Sequence, residues 1–181
     1  MEEVKIVEKQ KPEVQIPKEI EERKIMGVAA VILSEDGKIL VIEETENKSQ
    51  LDKMAGDISI LAETIEEGET EFEALIRLLE EEVGIREGMI CNPKEDWIGD
   101  YQLREGSGIW GRAYLVHYQG RSDSPLGFKA KDREVVNHRW IKPFEIKEMP
   151  RRAGVLEIIE DFSARCHGIV REKCSPGFRP T

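Results

Sequence analysis

The fold is decided by two neighbouring stretches of the sequence, Glu66-Glu67-Gly68-Glu69 and Arg77-Leu78-Leu79-Glu80-Glu81-Glu82-Val83-Gly84-Ile85. Between residues 61 and 82 the chain has nine glutamates and one basic residue, so a net charge of −8 lies in a short part of a chain whose total is −10. The glutamates are Glu63, Glu66, Glu67, Glu69, Glu71, Glu73, Glu80, Glu81 and Glu82. Like charges at this density repel one another. A bound divalent cation would offset the repulsion, because carboxylate oxygens are its preferred ligands.

A helix is predicted from about Thr70, because apolar residues recur there at steps of three and four. These residues are Phe72, Leu75, Ile76, Leu79 and Val83. Gly84 is suited to end the helix, since glycine readily adopts the left-handed conformation. Leu78 falls outside this stripe, and we expect it to share one face of the helix with Glu81 and Glu82.

The composition indicates one globular domain with an N-terminal extension. The chain has 181 residues, of which 39% are hydrophobic and 35% charged, which is enough to fill one core. No apolar run approaches the ~18 residues of a membrane span, and the N-terminus lacks the apolar core of a signal peptide. We therefore expect a cytoplasmic protein without membrane association. The negative charge argues against non-specific nucleic-acid binding, because a phosphate backbone would be repelled.

Three regions are predicted along the chain. Residues 1–24 alternate Lys and Glu around two prolines, with small apolar pairs, and are predicted to form an extended arm. The arm is either disordered or adds a strand to a partner subunit, which would make the protein a homodimer. A single domain is predicted over residues 25–168, followed by a C-terminal tail over 169–181.

Strands dominate the first and third quarters of the domain. The predicted strands cover residues 26–33, 38–42, 57–61, 97–102, 112–119 and 135–141. A second amphipathic helix is predicted over residues 150–167. Strands with helices between and after them indicate an α/β or α+β fold, in which helices cover a mixed sheet.

Aligned on Gly84 and Ile85, the acidic segment resembles the Nudix box, the metal-binding loop-helix-loop of the Nudix pyrophosphohydrolases. The box has nine defined positions over 23 residues, and this chain matches seven at the correct spacing. The matching residues are Glu69, Arg77, Leu79, Glu81, Glu82, Gly84 and Ile85. The two departures are Glu63, where the family has Gly, and Leu78, where it has Glu. The resemblance extends more weakly over residues 25–165 and implies a Nudix-like α/β/α sandwich around a mixed β-sheet.

The resemblance also implies a divalent cofactor. Glu81 and Glu82 would hold Mg²⁺ or Mn²⁺, and Arg77 would orient the glutamates through charge-assisted hydrogen bonds, so that Arg77 and Glu82 count among the catalytic residues. The family's glutamate at the position of Leu78 commonly ligates the metal or acts as general base, and leucine can do neither. Losing a general base costs ~10²–10⁴-fold in rate.

Two positions are candidates to supply the missing carboxylate. Glu63 could become a metal ligand, and because it replaces a glycine we expect either mild backbone strain or a remodelled loop there. Glu134, with Asp132 as the alternative, lies at the exit of the loop 121–133. Some Nudix enzymes, including ADP-ribose-type hydrolases, place a mobile catalytic carboxylate in that region.

The resulting hypothesis is a hydrolase that cleaves the pyrophosphate of a nucleoside diphosphate linked to another group, such as an ADP-ribose-like compound. The alternative is a catalytically impaired Nudix-fold protein that binds a nucleotide or a protein partner. Leu78 favours the alternative, whereas the pair Glu81 and Glu82 favours the enzyme.

Arg112 is open to two interpretations, contact with phosphate or a surface salt bridge. The second half of the substrate is not specified by the box, because loops select it.

Overall fold

The computed structural model describes residues 24–47, 53–91, 96–102, 108–126 and 137–169. The arm, except Lys24, and the tail, except Ile169, lie outside the described residues, and so do Asp132 and Glu134. The domain boundaries and the homodimer predicted from the arm therefore stay predictions.

The described residues form a mixed sheet of eight strands and two α-helices. The elements are β1 (Ile25–Leu33), β2 (Ile39–Glu43), β3 (Ile58–Ser59), β4 (Leu61–Thr64), α1 (Glu71–Val83), β5 (Ile90–Cys91), β6 (Trp97–Gln102), β7 (Trp110–Tyr118), β8 (Asn137–Ile141) and α2 (Val155–Ile169). Two short 3₁₀ turns, Glu87–Met89 and Pro143–Glu148, connect them. In this part of the chain no helix has both the length and the apolar character needed to cross a membrane.

Strand β1 lies in the middle of the sheet. It runs parallel to β7, with Leu33 opposite His117, and antiparallel to β4, with Val28 opposite Glu63. Strand β7 pairs in turn with β5 and β6, and β2 pairs with β3 and β8. The predicted strand 57–61 is in fact divided at Ile60, because β3 pairs with β2 whereas β4 pairs with β1.

The two faces of the sheet pack against different helices. Residues Val28, Ala30 and Ile32 belong to the core beneath α1. The alternate residues Ala29, Val31 and Leu33 belong to the core beneath α2. This two-residue alternation is that of a strand buried on both faces, and it confirms the predicted sandwich of helices around a mixed sheet.

Helix α1 begins and ends at residues that the sequence identifies. Thr70 Oγ1 accepts a hydrogen bond from the Glu73 amide at 3.3 Å, and the Glu73 carboxylate accepts one from the Thr70 amide at 2.8 Å. This capping box satisfies amides that the first turn leaves without partners. Gly84 ends the helix with a φ of 68°, and its N–H donates to the Leu79 carbonyl. The acidic segment is thereby fixed at both ends.

Candidate active site

Arg77 joins α1 to the loop that enters it. Its Nε and Nη2 donate to the two carboxylate oxygens of Glu69, each at 2.9 Å. The same Nη2 donates to the Thr64 carbonyl at 2.9 Å, and Glu66 lies 3.9 Å from Nη1. A bidentate pair of this kind fixes direction as well as distance. Arg77 therefore holds the loop between the end of β4 and the start of α1.

The charges of this pair stabilise each other. Hydrogen bonds from Arg77, and a further one from the Glu66 amide at 2.9 Å, lower the pKa of Glu69 to about 2. The hydrogen bonds with Glu69 raise the pKa of Arg77 above its usual value, and the nearby charges of Glu66 and Glu63 contribute to this rise. Both groups are charged at neutral pH. The role of Arg77 in orienting Glu81 and Glu82 stays a prediction, since the contacts described for it are with the loop.

Leu78 lies in the core beneath α1, with 1% of its surface exposed. The face that Leu78 is predicted to share with Glu81 and Glu82 is not uniformly open, because Leu78 is buried, Glu82 is half-buried and Glu81 is exposed. The sheet contacts the face of α1 that carries Ala74, Leu75, Leu78, Leu79 and Val83, whereas Phe72 and Ile76 are only half-buried. The buried stripe is thus rotated from the one that apolar spacing predicts, because the sheet, and not the helix, determines which face is covered.

The candidate carboxylates lie at two places near Arg77. Glu81 is exposed and Glu82 half-buried on the last turn of α1, and Glu81 follows Arg77 by one helical turn. Glu63 is half-buried in β4 and close enough to Arg77 to contribute to its raised pKa. Its Oε1 accepts a hydrogen bond from the Thr64 amide at 2.8 Å. Of the two alternatives predicted for Glu63, backbone strain or a remodelled loop, the structure does not have the strain. The residue lies in a strand, in a continuous antiparallel ladder from Gly27 opposite Thr64 to Ala30 opposite Leu61.

These side chains fit a divalent ion only as an open site. Across the described ranges, no group of three or more His, Cys, Asp or Glu side chains is placed to hold a metal ion. Mg²⁺, however, is usually bound through one or two carboxylates, with waters and substrate phosphates completing its six ligands. Glu81 and Glu82 supply oxygen donors of that kind, and Glu63 is the third candidate.

A second polar cluster surrounds the first turn of α1, and the sequence reasoning missed most of it. Arg112 donates to both carboxylate oxygens of Asp100, at 2.7 and 3.1 Å, and also to Glu71 at 3.1 and 3.2 Å. The Tyr114 hydroxyl donates to Glu71 at 2.5 Å. Burial and this hydrogen bond raise the pKa of Tyr114, so the hydroxyl keeps its proton. Of the two interpretations of Arg112, the structure has the salt bridge.

A cavity of about 540 Å³ lies beside this cluster. Its lining residues are Ile25, Ile65, Glu69, Thr70, Glu71, Phe72 and Tyr114. It opens at the first turn of α1, about 16 Å along the helix axis from Glu81 and Glu82 at 1.5 Å per residue.

Part of the second polar cluster could have been predicted from the sequence, because alternation along β7 places Arg112 and Tyr114 on one face of the sheet. The acidic partners Glu71 and Asp100 come from other elements and gave no such signal.

The model of the family described as NUDIX domain matches residues 23–162. The chain belongs to the Nudix family, as the box predicts. None of the curated proteins matches it.

Solved structures with the same fold cover most of the chain. An Ap4A hydrolase of C. elegans, in a binary complex, is 16% identical with a TM-score of 0.62, covering 80% of this chain and 99% of its own. A MutT protein from Methanosarcina mazei Go1 is 21% identical with a TM-score of 0.58, covering 82% and 99%. The NUDIX domain of Shewanella oneidensis NrtR, complexed with ADP ribose, is 15% identical with a TM-score of 0.57, covering 79% and 88%. At these identities the likeness shows the fold.

Proposed function

We propose that the protein binds a nucleoside diphosphate linked to a second group and hydrolyses its pyrophosphate with Mg²⁺ or Mn²⁺. The observation that carries this proposal is the bidentate pair of Arg77 with Glu69. The pair holds the end of β4, with Glu63, against the helix whose last turn carries Glu81 and Glu82. The loop and the helix that carry the box carboxylates are thus held on one scaffold, and fixed positions of this kind support catalysis.

The solved relatives support the choice of substrates to test. The C. elegans structure is of an Ap4A hydrolase, and the NrtR domain was solved with ADP ribose. Both compounds contain a nucleoside joined through a phosphoric anhydride to a second group. We propose compounds of this class as substrates.

Each residue has a separate role in this proposal. Glu81 and Glu82, with Glu63, would hold a divalent ion, which neutralises phosphate charge and polarises phosphorus towards water. Arg77 holds the loop, and Glu134 is proposed as the base, although it lies outside the described residues. Leu78 supplies no proton acceptor. We therefore expect slow turnover if Glu134 does not act, lower by ~10²–10⁴-fold than with a general base in place.

The proposal is tested by incubating the protein with Ap4A, ADP-ribose and other nucleoside diphosphate derivatives, in Mg²⁺ or Mn²⁺, and measuring release of a nucleoside monophosphate. Glu82→Gln should lose the release, whereas Glu87→Gln, at an exposed glutamate beyond the helix, should keep it. Release that is no greater in the parent than in Glu82→Gln, for every compound, would contradict the proposal.

A second candidate function is nucleotide binding without hydrolysis, and the burial of Leu78 favours it. A core leucine at this position is compatible with a binding domain and offers nothing to catalysis. Equilibrium dialysis with the same compounds separates the two candidates, because a binding protein retains ligand without releasing product.

A further inference from the structure

Strands β5 and β6 lie one after the other along the same side of β7. Cys91, the last residue of β5, pairs with His117 of β7. Asp96 directly precedes β6, and its carbonyl accepts a hydrogen bond from the Leu115 amide at 2.7 Å. The end of β5 and the start of β6 therefore meet beside His117, although residues 92–95 between them lie outside the described residues.

The side chains of Cys91 and His117 lie on one face of the sheet. Residues directly opposite each other in an antiparallel pair point to the same side, and their Cβ atoms are about 4.5–5.5 Å apart. Gln119 follows His117 by two residues, and its Nε2 donates a hydrogen bond to the Cys91 sulfur at 3.2 Å. This hydrogen bond holds the thiol on the face that carries the imidazole.

The imidazole of His117 is paired with the carboxylate of Asp96. Its Nε2 lies 3.5 Å from Asp96 Oδ2, and each of the two side chains is 14% exposed. A carboxylate at this distance stabilises the imidazolium that forms when the ring accepts a proton. Cys91, His117 and Asp96 thus supply a nucleophile, a proton acceptor and a group that stabilises the charged acceptor, as in activated cysteines.

This cluster is suited to a reaction of the thiol and not to metal binding. Cysteine, histidine and aspartate are also metal ligands, but within the described ranges no three such side chains are placed to hold a metal ion. Cys91 is a free thiol and is partly exposed, so a small reagent can reach its sulfur. We propose that Cys91 is a modification site that forms a mixed disulfide with low-molecular-weight disulfides, with His117 as the proton acceptor.

The reaction is a thiol–disulfide exchange. The thiol proton passes to His117, the Cys91 sulfur forms a bond to one sulfur of the reagent, and the sulfur–sulfur bond of the reagent breaks. The leaving thiolate takes the proton back from the imidazolium, so the products are the mixed disulfide and one free thiol. The reagent is itself reduced, and no other oxidant is needed. The site lies outside the acidic segment and does not depend on the proposed hydrolysis.

The test uses glutathione disulfide and the full-length chain with Cys166→Ser and Cys174→Ser, in which Cys91 is the only cysteine. Intact mass spectrometry at neutral pH measures the rate at which one glutathione is added, in the folded protein and in the same protein unfolded in urea. Because a general base contributes ~10²–10⁴-fold to a rate, the folded protein should react about tenfold faster or more. A folded protein that reacts no faster than the unfolded chain would overturn the inference.

Matched variants in the same background assign the roles. His117→Gln should lower the rate of the folded protein to that of the unfolded chain, and Asp96→Asn should lower it in part. His138→Gln changes a histidine of β8 that pairs with Ile42 of β2, and it should keep the parental rate. Free imidazole should restore part of the rate in His117→Ala, which a merely structural role would not allow.

Circular dichroism establishes that each variant is folded. A folded His117→Gln variant that reacts at the parental rate would overturn the inference. If the variants of His117 do not fold, the comparison of the folded parent with the unfolded parent still decides, because it needs no substitution at His117.

Discussion

Arg77 and Glu69 lie eight residues apart and are joined by two hydrogen bonds of 2.9 Å. The planar guanidinium matches the two carboxylate oxygens, so the pair defines an orientation that a single ion pair would not. The same guanidinium reaches the Thr64 carbonyl. One side chain thus fixes the end of β4, the loop and α1 relative to one another.

Replacing Glu69 by glutamine should lower stability in a manner that depends on pH. The pKa of Glu69 is lowered from 4.5 to about 2 in the folded protein, so its ionised form stabilises the fold. This contribution is complete above about pH 4.5 and is lost as the pH falls towards 2. The difference in unfolding free energy between parent and Glu69→Gln, measured by urea denaturation, should therefore shrink over that interval.

The matched control for Glu69 is Glu66→Gln. Glu66 lies 3.9 Å from Arg77 and its side chain is 71% exposed, so its removal should change stability little. Equal losses in the two variants, or a difference for Glu69→Gln that does not vary below pH 4.5, would contradict the assignment of the lowered pKa to the bidentate pair.

Replacing Leu78 by glutamate should destabilise the protein and not activate it. Truncating a buried leucine costs about 2–5 kcal/mol, and a buried carboxylate without a partner costs more. Leu78→Met keeps the volume and should cost less than about 1.5 kcal/mol. Thermal and urea unfolding of both variants check this. A Leu78→Glu variant with parental stability and faster hydrolysis would show that position 78 lies on an open face of α1.

The role of Glu63 is tested by metal-dependent stabilisation. Mn²⁺ with a nucleotide at ~100 times its dissociation constant should stabilise the parent by ~2.7 kcal/mol. If the carboxylate ligates the ion, Glu63→Gln and Glu63→Gly should both lose part of this increment, measured as the shift in melting temperature. Glu63→Gly should also be less stable without ligands by about 0.5–1 kcal/mol, because glycine weakens a strand.

An unchanged metal-dependent shift in Glu63→Gln would remove Glu63 from the ligand set. The parallel variant Glu81→Gln/Glu82→Gln should lose the shift in the same experiment. If the double variant loses the metal-dependent shift and Glu63→Gln keeps it, the ion is bound by the helix residues alone.

Removing the Tyr114 hydroxyl should destabilise the attachment of α1 to β7. The hydroxyl donates to the Glu71 carboxylate at 2.5 Å, and hydrogen bonds to charged groups contribute about 1.5–3 kcal/mol. Tyr114→Phe should lower the unfolding free energy by up to that amount. The comparison variant is Tyr101→Phe, whose hydroxyl donates to Asp161 of α2 at 2.8 Å on the other face of the sheet.

A loss for Tyr101→Phe with none for Tyr114→Phe would show that Arg112 alone satisfies Glu71. Similar losses for both would indicate that each helix is attached to the sheet by one tyrosine.

Local signals in the sequence located the elements because their causes are local. Thr70 and Gly84 bound α1 through hydrogen bonds within one turn, and strand β6 was predicted with its observed bounds. The spacing of residues in the box identified the family. The ion pair of Glu69 with Arg77 lies inside the box. The start of α2 was predicted five residues too early, at 150, because Arg151 forms a β-bridge with Ile58 of β3 and residues 153–154 form a turn before the helix begins.

The sequence by itself determined the family, the layered fold and the set of acidic residues that chemistry could use, since these depend on spacing along one chain segment. Tertiary structure decided which face of α1 is covered, and so placed Leu78 in the core, and it brought Arg112 to Glu71 and Asp100. The physical reason is that burial and ion pairing depend on surfaces contributed by distant segments. A helix whose sequence offers several apolar positions is oriented by the sheet against which it packs.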